Sequence, residues 1–284
     1  MKPAPHAVRL GLARGWIEFK NSLTNPPDLA FTVLSTVAFV AVLWFQRDAT
    51  VPGGTFTLAG FTLPSLLGML AAFNGLIGAM SMIAVEREDG TLLRAKALPQ
   101  GMLGYLIGRI TVLTLQALGS MVILLVAGLF LVPELTRAGP GGLLLVLVIT
   151  LAGLLATLPL GAVIGSLFNN PQASTGLSML VVGGLVSISG IFYPISALAG
   201  WLQAVAQAFP LYWLGLGMRA ALLPGSMAAA EIGGSWRPVE MVLVLGAWVA
   251  AGLLIAPPIL RRMARRESGS LMEARRHRAL QRAG

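Results

Sequence analysis

The chain has 284 residues, of which 56% are hydrophobic and only 11% are charged. An ordinary soluble domain carries about 25% charged residues, because its surface faces water. The composition therefore excludes a soluble fold and indicates an integral membrane protein. The sequence contains no cysteine, which also excludes disulfides, thiolate metal sites and cysteine nucleophiles.

The first predicted element is an amphipathic helix within residues 1–28. An apolar stripe recurs along it at helical spacing, formed by Val8, Leu12, Trp16, Phe19 and Leu23. The charged residues lie largely off that stripe, which predicts an interfacial helix along the cytoplasmic membrane surface. Such a helix is either a membrane anchor or a strut that contacts a partner, and the periodicity favours the anchor.

Six apolar stretches follow that are long enough to cross the roughly 30 Å of bilayer hydrocarbon. They occupy residues 29–45, 61–85, 103–132, 143–168, 173–192 and 241–260. We therefore predict an all-α integral membrane protein with a transmembrane domain over residues 29–260. A basic cytoplasmic tail over residues 261–284 completes the domain organisation.

The cations set the predicted orientation. Of the 20 lysine and arginine residues, four precede the first span, four lie in or beside the loop after the second span, and eight lie in the tail. The remaining four fall on the opposite side, at Arg47, Arg137, Arg219 and Arg237. Because positive residues are retained on the cytoplasmic side, both termini are predicted to be cytoplasmic. The same asymmetry explains the formal net charge of +9 without a nucleic-acid partner, since no recognition motif is present.

A further apolar stretch, residues 197–223, lies between the fifth and sixth spans. If it crossed the membrane, the arginine-rich tail would lie outside, against the orientation rule. It also contains several residues that disfavour a crossing helix, namely Gln203, Gln207, Pro210 and Arg219. We therefore predict a re-entrant outer hairpin over residues 194–223, made of two helices that are each too short to cross.

Particular residues are expected to shape this hairpin as an outer gate. Tyr193 and Pro194 should end the fifth span, because proline restricts the residue before it and cannot donate a helix hydrogen bond. Phe209 and Pro210 should reverse the chain between the two short helices. The aromatic residues expected at the outer interface are Trp201, Tyr212 and Trp213. The alternative is an amphipathic segment resting on the outer surface, which the length and apolarity of the run disfavour.

The spans lack the residues that membrane enzymes require. They contain no histidine and no aspartate, which excludes serine–histidine dyads, aspartate pairs and zinc sites, so no catalytic or metal-binding residue is predicted. A phosphate-binding loop needs a lysine after a glycine, and Lys2, Lys20 and Lys96 each follow a different residue. If the protein works with ATP, another chain binds it.

The cores of the spans carry neutral polar and small residues instead. Each neutral polar side chain is either hydrogen-bonding glue between helices or a substrate contact. Small neutral residues also let helices separate and repack without exposing a charge to lipid. The predicted substrate pathway of a dimer therefore follows the second and fifth spans at Asn74, Gly75, Gly78, Ser174, Ser178 and Ser189.

The loop between the second and third spans carries the most specific pattern. Residues 86–99 open with four charged residues at a helix end, followed by a turn at Gly90 and a second short helix that Pro99 ends. Thr91 can cap that helix. On physical grounds alone, this segment is either a solvated loop or a docking surface at the cytoplasmic face.

This loop resembles the cytoplasmic coupling motif of the type-2 ABC exporter permeases. The matching positions are Glu86, Arg87, Glu88, Gly90, Thr91 and Leu92, with Asp89 at the variable place. A second region is similar to the part of that family that forms its outer re-entrant helices, at residues 190–196, 201–202 and 209–211. The pattern is most similar to the daunorubicin-resistance-like branch.

The resemblance implies an export permease that forms a dimer, with itself or with a similar permease, and pairs with two ATP-binding subunits. Those subunits would bind ATP and Mg, and their closure would push on the coupling motif and the interfacial helix to shift the permease between states. The implied location is a bacterial or archaeal cytoplasmic membrane. The implied cargo is a drug, a lipid or another amphipathic or glycan substrate. Two alternatives stay open: a stand-alone channel or secondary carrier, and a non-transporting immunity or assembly factor of the same fold.

Overall fold

The computed structural model describes residues 3–50, 57–81, 83, 95, 100–132, 135, 139–167 and 171–266. Within these ranges the chain is helical, apart from an isolated β-bridge between Thr50 and Thr57. The α-helices described there are α1 (Pro3–Ser22), α2 (Pro26–Gln46), α3 (Leu58–Phe73), α4 (Gly101–Leu129), α5 (Pro140–Leu167), α6 (Pro171–Ile188), α7 (Gly200–Ala208), α8 (Pro210–Leu222) and α9 (Pro238–Arg266). Short 3-10 helices cover Ile195–Ala197, Gly225–Ala230 and Ile232–Gly234.

Five helices of the described chain are long and apolar enough to cross a membrane. They are Pro26–Gln46, Leu58–Ser81, Gly104–Leu129, Pro140–Ser166 and Pro238–Ala256. These helices coincide with the first four predicted spans and with the sixth. The predicted fifth span falls on α6, which has 18 residues and is not one of the five. The all-α membrane class is thus confirmed, while a sixth crossing stays a prediction.

Helix α3 lies at the centre of the protein. It begins at Thr57, whose hydroxyl accepts a hydrogen bond from the Gly60 backbone N–H at 3.1 Å and so caps the helix. It packs against α2, α4, α5 and α8. At Gly68 an added Cβ would lie 2.6 Å from the Leu214 backbone, so α3 and α8 meet backbone to backbone. Nearly all of α3 is therefore buried within the protein, whereas Leu43 is the one buried residue of α2.

The C-terminal half of this span contains a π-helical turn, Asn74–Gly78. Such turns widen a helix locally and are frequent at functional sites. Small residues of α5 face this turn and the residues after it. An added Cβ at Gly161 would collide with the Leu76 carbonyl oxygen, and one at Gly165 would lie 2.7 Å from the Met80 carbonyl oxygen. The glycines of α5 thus allow direct contact between the two backbones.

Helix α1 packs along the N-terminal half of α4. Its buried face is made of small residues spaced four apart, Ala7, Gly11 and Gly15. An added Cβ at Gly11 would lie 2.6 Å from the Gly104 carbonyl oxygen, and one at Gly15 would lie 2.7 Å from that of Gly108. Glycine on both helices lets the two backbones touch, so α1 is fixed to α4 rather than held by lipid alone.

The apolar stripe predicted for α1 lies on a different side of the helix from the small residues that contact α4. Val8, Leu12, Trp16 and Leu23 are exposed on the protein, and only Phe19 is half-buried. An exposed apolar stripe beside a membrane span suits contact with lipid. Hydrophobic periodicity therefore indicates the exposed side of α1 and overlooks the glycine side that contacts α4.

Two helix ends differ from their predicted positions by about one helical turn or more. Helix α6 ends at Ile188, and Gly190 follows with a φ of 67°, the left-handed conformation of a glycine helix cap. The prediction that Tyr193 and Pro194 end this span is therefore wrong, because Gly190 stops the helix before the proline is reached. Helix α9 runs on to Arg266, so the first basic residues after position 260 extend the helix.

Candidate functional site

The predicted coupling residues Glu86, Arg87, Glu88, Gly90, Thr91 and Leu92 lie outside the described residues. The structure does describe the helix that follows this loop. Helix α4 begins at Gly101, directly after Gln100, which has a φ of 57°. The loop therefore leads into the same half of α4 on which α1 packs.

Charged side chains reinforce the joint between α1 and α4. Glu18 of α1 accepts a hydrogen bond from Arg14 Nε at 2.8 Å and a second one from Arg109 of α4. The guanidinium of Arg109 also lies over the ring of Tyr105, 5.7 Å from its centroid. Because these groups are partly exposed, each ion pair contributes only about 0–1 kcal/mol. The glycine contacts thus fix α1 in place, and the ion pairs orient it.

The predicted outer hairpin contains the two short helices α7 and α8. At 1.5 Å per residue, their 9 and 13 residues span about 14 and 20 Å, less than the roughly 30 Å of hydrocarbon. The break between them falls at Phe209, with Pro210 as the first residue of α8. The predicted break is thus confirmed, while re-entry into the membrane stays a prediction.

The predicted gate residues of this segment have different environments. Trp201 is 68% exposed, whereas Pro194 and Pro210 are buried. The Phe209 ring stacks on Trp248 of α9 with centroids 5.9 Å apart. The Tyr193 hydroxyl donates a hydrogen bond to the Ser187 carbonyl oxygen. The break at Phe209 is thus held against α9, while Trp201 is free to contact lipid or another chain.

Two of the aromatic residues predicted at the outer interface lie in the core instead. Tyr212 is fully buried and Trp213 nearly so, so the prediction is wrong for both. Trp213 Nε1 donates a hydrogen bond to the Gln207 carbonyl oxygen at 2.7 Å, which satisfies the indole inside the protein. Helix α8 packs against α3 and α5, and both residues belong to the main hydrophobic core.

The predicted pathway residues of the second span contact helices of the same chain. Gly75 lies against the Thr157 side chain of α5, and an added Cβ at Gly78 would lie 2.7 Å from Leu113 of α4. Asn74 is half-buried and donates from Nδ2 to the Leu70 carbonyl oxygen at 2.9 Å. The glycines of the π turn therefore serve close packing in this state of the protein.

The predicted pathway residues of the fifth span are only partly described. Ser189 is buried and donates to the Val186 carbonyl oxygen at 2.9 Å. Ser174 and Ser178 lie on α6, but their side chains are outside the described residues. Helix α6 contacts the π turn Asn74–Gly78, so the two predicted groups lie on neighbouring elements, and a shared site stays a prediction.

A buried charge cluster lies at the C-terminal end of the α7–α8 segment, and sequence reasoning did not predict it. Arg219, at the end of α8, is 0% exposed and donates from Nε to Glu231 at 2.6 Å. Its Nη1 donates to the Ser65 hydroxyl of α3 at 2.6 Å and lies 3.4 Å from the Gly190 carbonyl oxygen. The guanidinium carbon stands 4.4 Å from the centroid of the Phe61 ring, a cation–π contact. One arginine thus joins four parts of the chain.

A sequence signal for this cluster was present. The positive-inside argument counts Arg219 only as a cation of the outer side. Yet an arginine inside an apolar run costs free energy to bury unless another buried group pairs with its charge. Glu231 follows it by twelve residues, and Ser65 lies within the second span, so both candidates for such a partner were visible.

The chain as a whole can be compared with known families. The family model described as ABC-2 type transporter matches residues 7–223. That range runs from α1 to the end of α8 and includes residues 86–92, where the coupling motif is predicted. The chain belongs to the ABC-2 type transporter family. No curated protein matches the sequence.

As a member of the ABC-2 type transporter family, the protein is a multi-pass membrane permease. Permeases of this family normally work with an ABC ATP-binding subunit. Within the buried charge cluster, Arg219 and Ser65 belong to the matched residues 7–223, whereas Glu231 lies eight residues after them.

Proposed function

We propose that this ABC-2 permease is the membrane subunit of a type-2 exporter of the daunorubicin-resistance-like branch, in a bacterial or archaeal cytoplasmic membrane. Two copies, or one copy and a similar permease, form the substrate pathway. Separate subunits bind ATP and Mg and drive export of a drug, a lipid or another amphipathic or glycan substrate. Six spans cross the membrane, with both termini cytoplasmic. The family match over residues 7–223 carries this proposal.

In this proposal, ATP-driven motion enters through the coupling residues 86–92 and through α1. The joint between α1 and α4 supports such a route. Because the backbones of Gly11 and Gly15 lie against those of Gly104 and Gly108, α1 and α4 are expected to move as one body. A push on α1 or on the loop before α4 would then reach the same helix.

The outer end of the pathway is the proposed gate, formed by Tyr193, Pro194, Trp201, Phe209 and Pro210. The observation that supports the gate is the pair of short helices α7 and α8, which are separated by a break at Phe209. The pathway residues proposed below it remain Asn74, Gly75, Gly78, Ser174, Ser178 and Ser189. Because Gly75 packs on Thr157, a bulky residue there would disturb packing first, so Ser178 is the better position to probe cargo contact.

Reconstitution tests the proposed function. The permease is placed in liposomes alone, and then together with each candidate ABC ATP-binding subunit from the neighbouring genes. We expect ATP-dependent movement of a fluorescent amphipathic cargo only when both proteins are present, because this chain has no phosphate-binding loop. Transport by the permease alone with ATP, or its absence with every neighbouring ATP-binding subunit, would contradict the proposal.

The gate predicts the result of a cross-linking experiment. Trp201→Cys introduces a single cysteine at an exposed position of a chain that has none. If the α7–α8 segments of two subunits meet at the pathway, a disulfide between them should stop export, and reduction should restore it. Export is measured before and after reduction, with Val239→Cys as an exposed control on α9. Cross-linked protein that still exports at the parent rate would show that the segment is not a gate.

A further inference from the structure

We propose that Arg219, Glu231 and Ser65 form a charge clamp that positions the outer gate and holds it closed over α3. The three residues are positioning residues, because their contacts join the gate segment to a span. The inference rests on the proposed function in one respect, since it takes the α7–α8 segment to be a gate that opens during export.

The contacts of the charge clamp explain why it acts on the gate. Arg219 lies in the last turn of α8, and Glu231 belongs to the turn segment that follows, so their ion pair closes the chain between them into a loop. Ser65 belongs to α3, which begins the most buried of the five candidate membrane spans. Its hydroxyl donates to the Phe61 carbonyl oxygen at 2.9 Å, which leaves its lone pairs to accept from Arg219. One guanidinium thus adds a charged contact between the gate and the central span, beside the backbone contact of Gly68 with Leu214.

The ion pair of the charge clamp is incompletely satisfied. Arg219 Nη2 and Glu231 Oε2 are buried and have no hydrogen-bond partner among the described residues. An arginine and a carboxylate can form two parallel hydrogen bonds, but here they form one. Since a buried pair offsets its desolvation only when its remaining groups are bonded, apolar residues would hold a static core at least as well. A buried ion pair with unsatisfied atoms is therefore better suited to a contact that breaks and re-forms than to a permanent one.

A second ion pair nearby provides a matched comparison. Arg237 Nε donates to Glu240 at 3.2 Å, with the Glu240 side chain 47% exposed. Arg219 lies within the gate segment and Arg237 follows it, but Glu240 is exposed enough that its pair with Arg237 contributes little. Removing the charge of Glu240 therefore controls for charge loss in the same region without touching the charge clamp.

The experiment measures how well α3 is shielded from outside. Ala72 is buried on α3 and continues the face of Ser65 and Gly68 at helical spacing. Ala72→Cys provides the only cysteine, and a membrane-impermeant thiol reagent is added to intact cells without any ATP-binding subunit. We expect Glu231→Gln to raise the labelling rate of this cysteine at least tenfold, while Glu240→Gln leaves it unchanged. Folded Glu231→Gln protein that labels at the parent rate would overturn the charge clamp.

A milder variant keeps the test decisive if Glu231→Gln does not fold. Ser65→Ala removes one contact of Arg219 and leaves the ion pair intact, so the fold should survive. We expect it to raise labelling at least threefold, and no rise in folded Ser65→Ala protein would refute the inference. Folding of each variant is checked by gel filtration in detergent.

A final arm separates positioning of the gate from simple structural support. With the ATP-binding subunit present, ATP should raise labelling in the parent and change it less than twofold in Glu231→Gln, whose gate is already open. If the parent shows no response to ATP while Glu231→Gln still labels faster without it, the charge clamp stands and the proposed exporter cycle fails. If the parent responds to ATP and Glu231→Gln labels like the parent, the cycle stands and the charge clamp fails.

Discussion

Gly161→Ala should destabilise the permease by about 3 kcal/mol or more, at the upper end of the cost of overpacking a core. The added methyl group would collide with the Leu76 carbonyl oxygen, which belongs to the π turn of the second span. A backbone atom cannot rotate away as a side chain can, so the two helices would have to separate. The loss is measured as a lower thermal midpoint and a smaller folded fraction of the purified protein.

Gly246→Ala is the matched control for this prediction. Gly246 lies inside α9, and an added Cβ there would meet no atom within 4 Å. The same chemical change should therefore leave the thermal midpoint unchanged or slightly raised, because alanine favours a helix over glycine. Equal stability of the two variants would mean that α5 and the π turn are not in backbone contact.

Glu86→Lys should reduce ATP-driven export to the background level while the permease still inserts and assembles. The resemblance implies that Glu86 meets the ATP-binding subunit, and a reversed charge at a docking surface costs affinity and register. ATP hydrolysis should continue without transport, because the ATP-binding subunits retain their own sites. Export and hydrolysis are measured together in liposomes that contain both proteins.

Asp89→Lys makes the same change in charge three residues away, at the variable place of the motif. It should retain most of the export activity, because the resemblance assigns no conserved contact to this position. Parent-level coupling in Glu86→Lys, or equal losses in both variants, would show that residues 86–92 do not carry a specific contact with the ATP-binding subunit.

Hydropathy and helix-breaking residues were sufficient to locate most of the helices. Five of the six predicted spans coincide with helices that can cross a membrane, because a bilayer imposes a minimum length of apolar sequence. The break at Phe209 was also predictable, since Pro210 can begin a helix but cannot continue one. The end of α6 was misplaced because Gly190, by taking a positive φ, stopped the helix four residues before Pro194.

The partners of small residues were not predictable from spacing. Gly75 and Gly78 were expected along a pathway, and they pack against Thr157 and Leu113 of neighbouring helices. A glycine on a membrane helix permits close approach by any neighbour, whether a helix of the same chain, a second subunit or a substrate. The sequence alone therefore predicted that these positions allow close contact, and only the packing decided with what.

The sequence by itself determined the membrane class, the places of most spans and the resemblance to an exporter permease, because these depend on composition and on local patterns. Tertiary structure decided that α1 uses Gly11 and Gly15 to contact α4, and that Tyr212 and Trp213 are buried. It also decided that Arg219, counted from the sequence as an outer cation, lies in the core beside Glu231 and Ser65. An arginine is stable at that depth only where distant parts of the chain supply its partners, and those partners are set by how the helices pack.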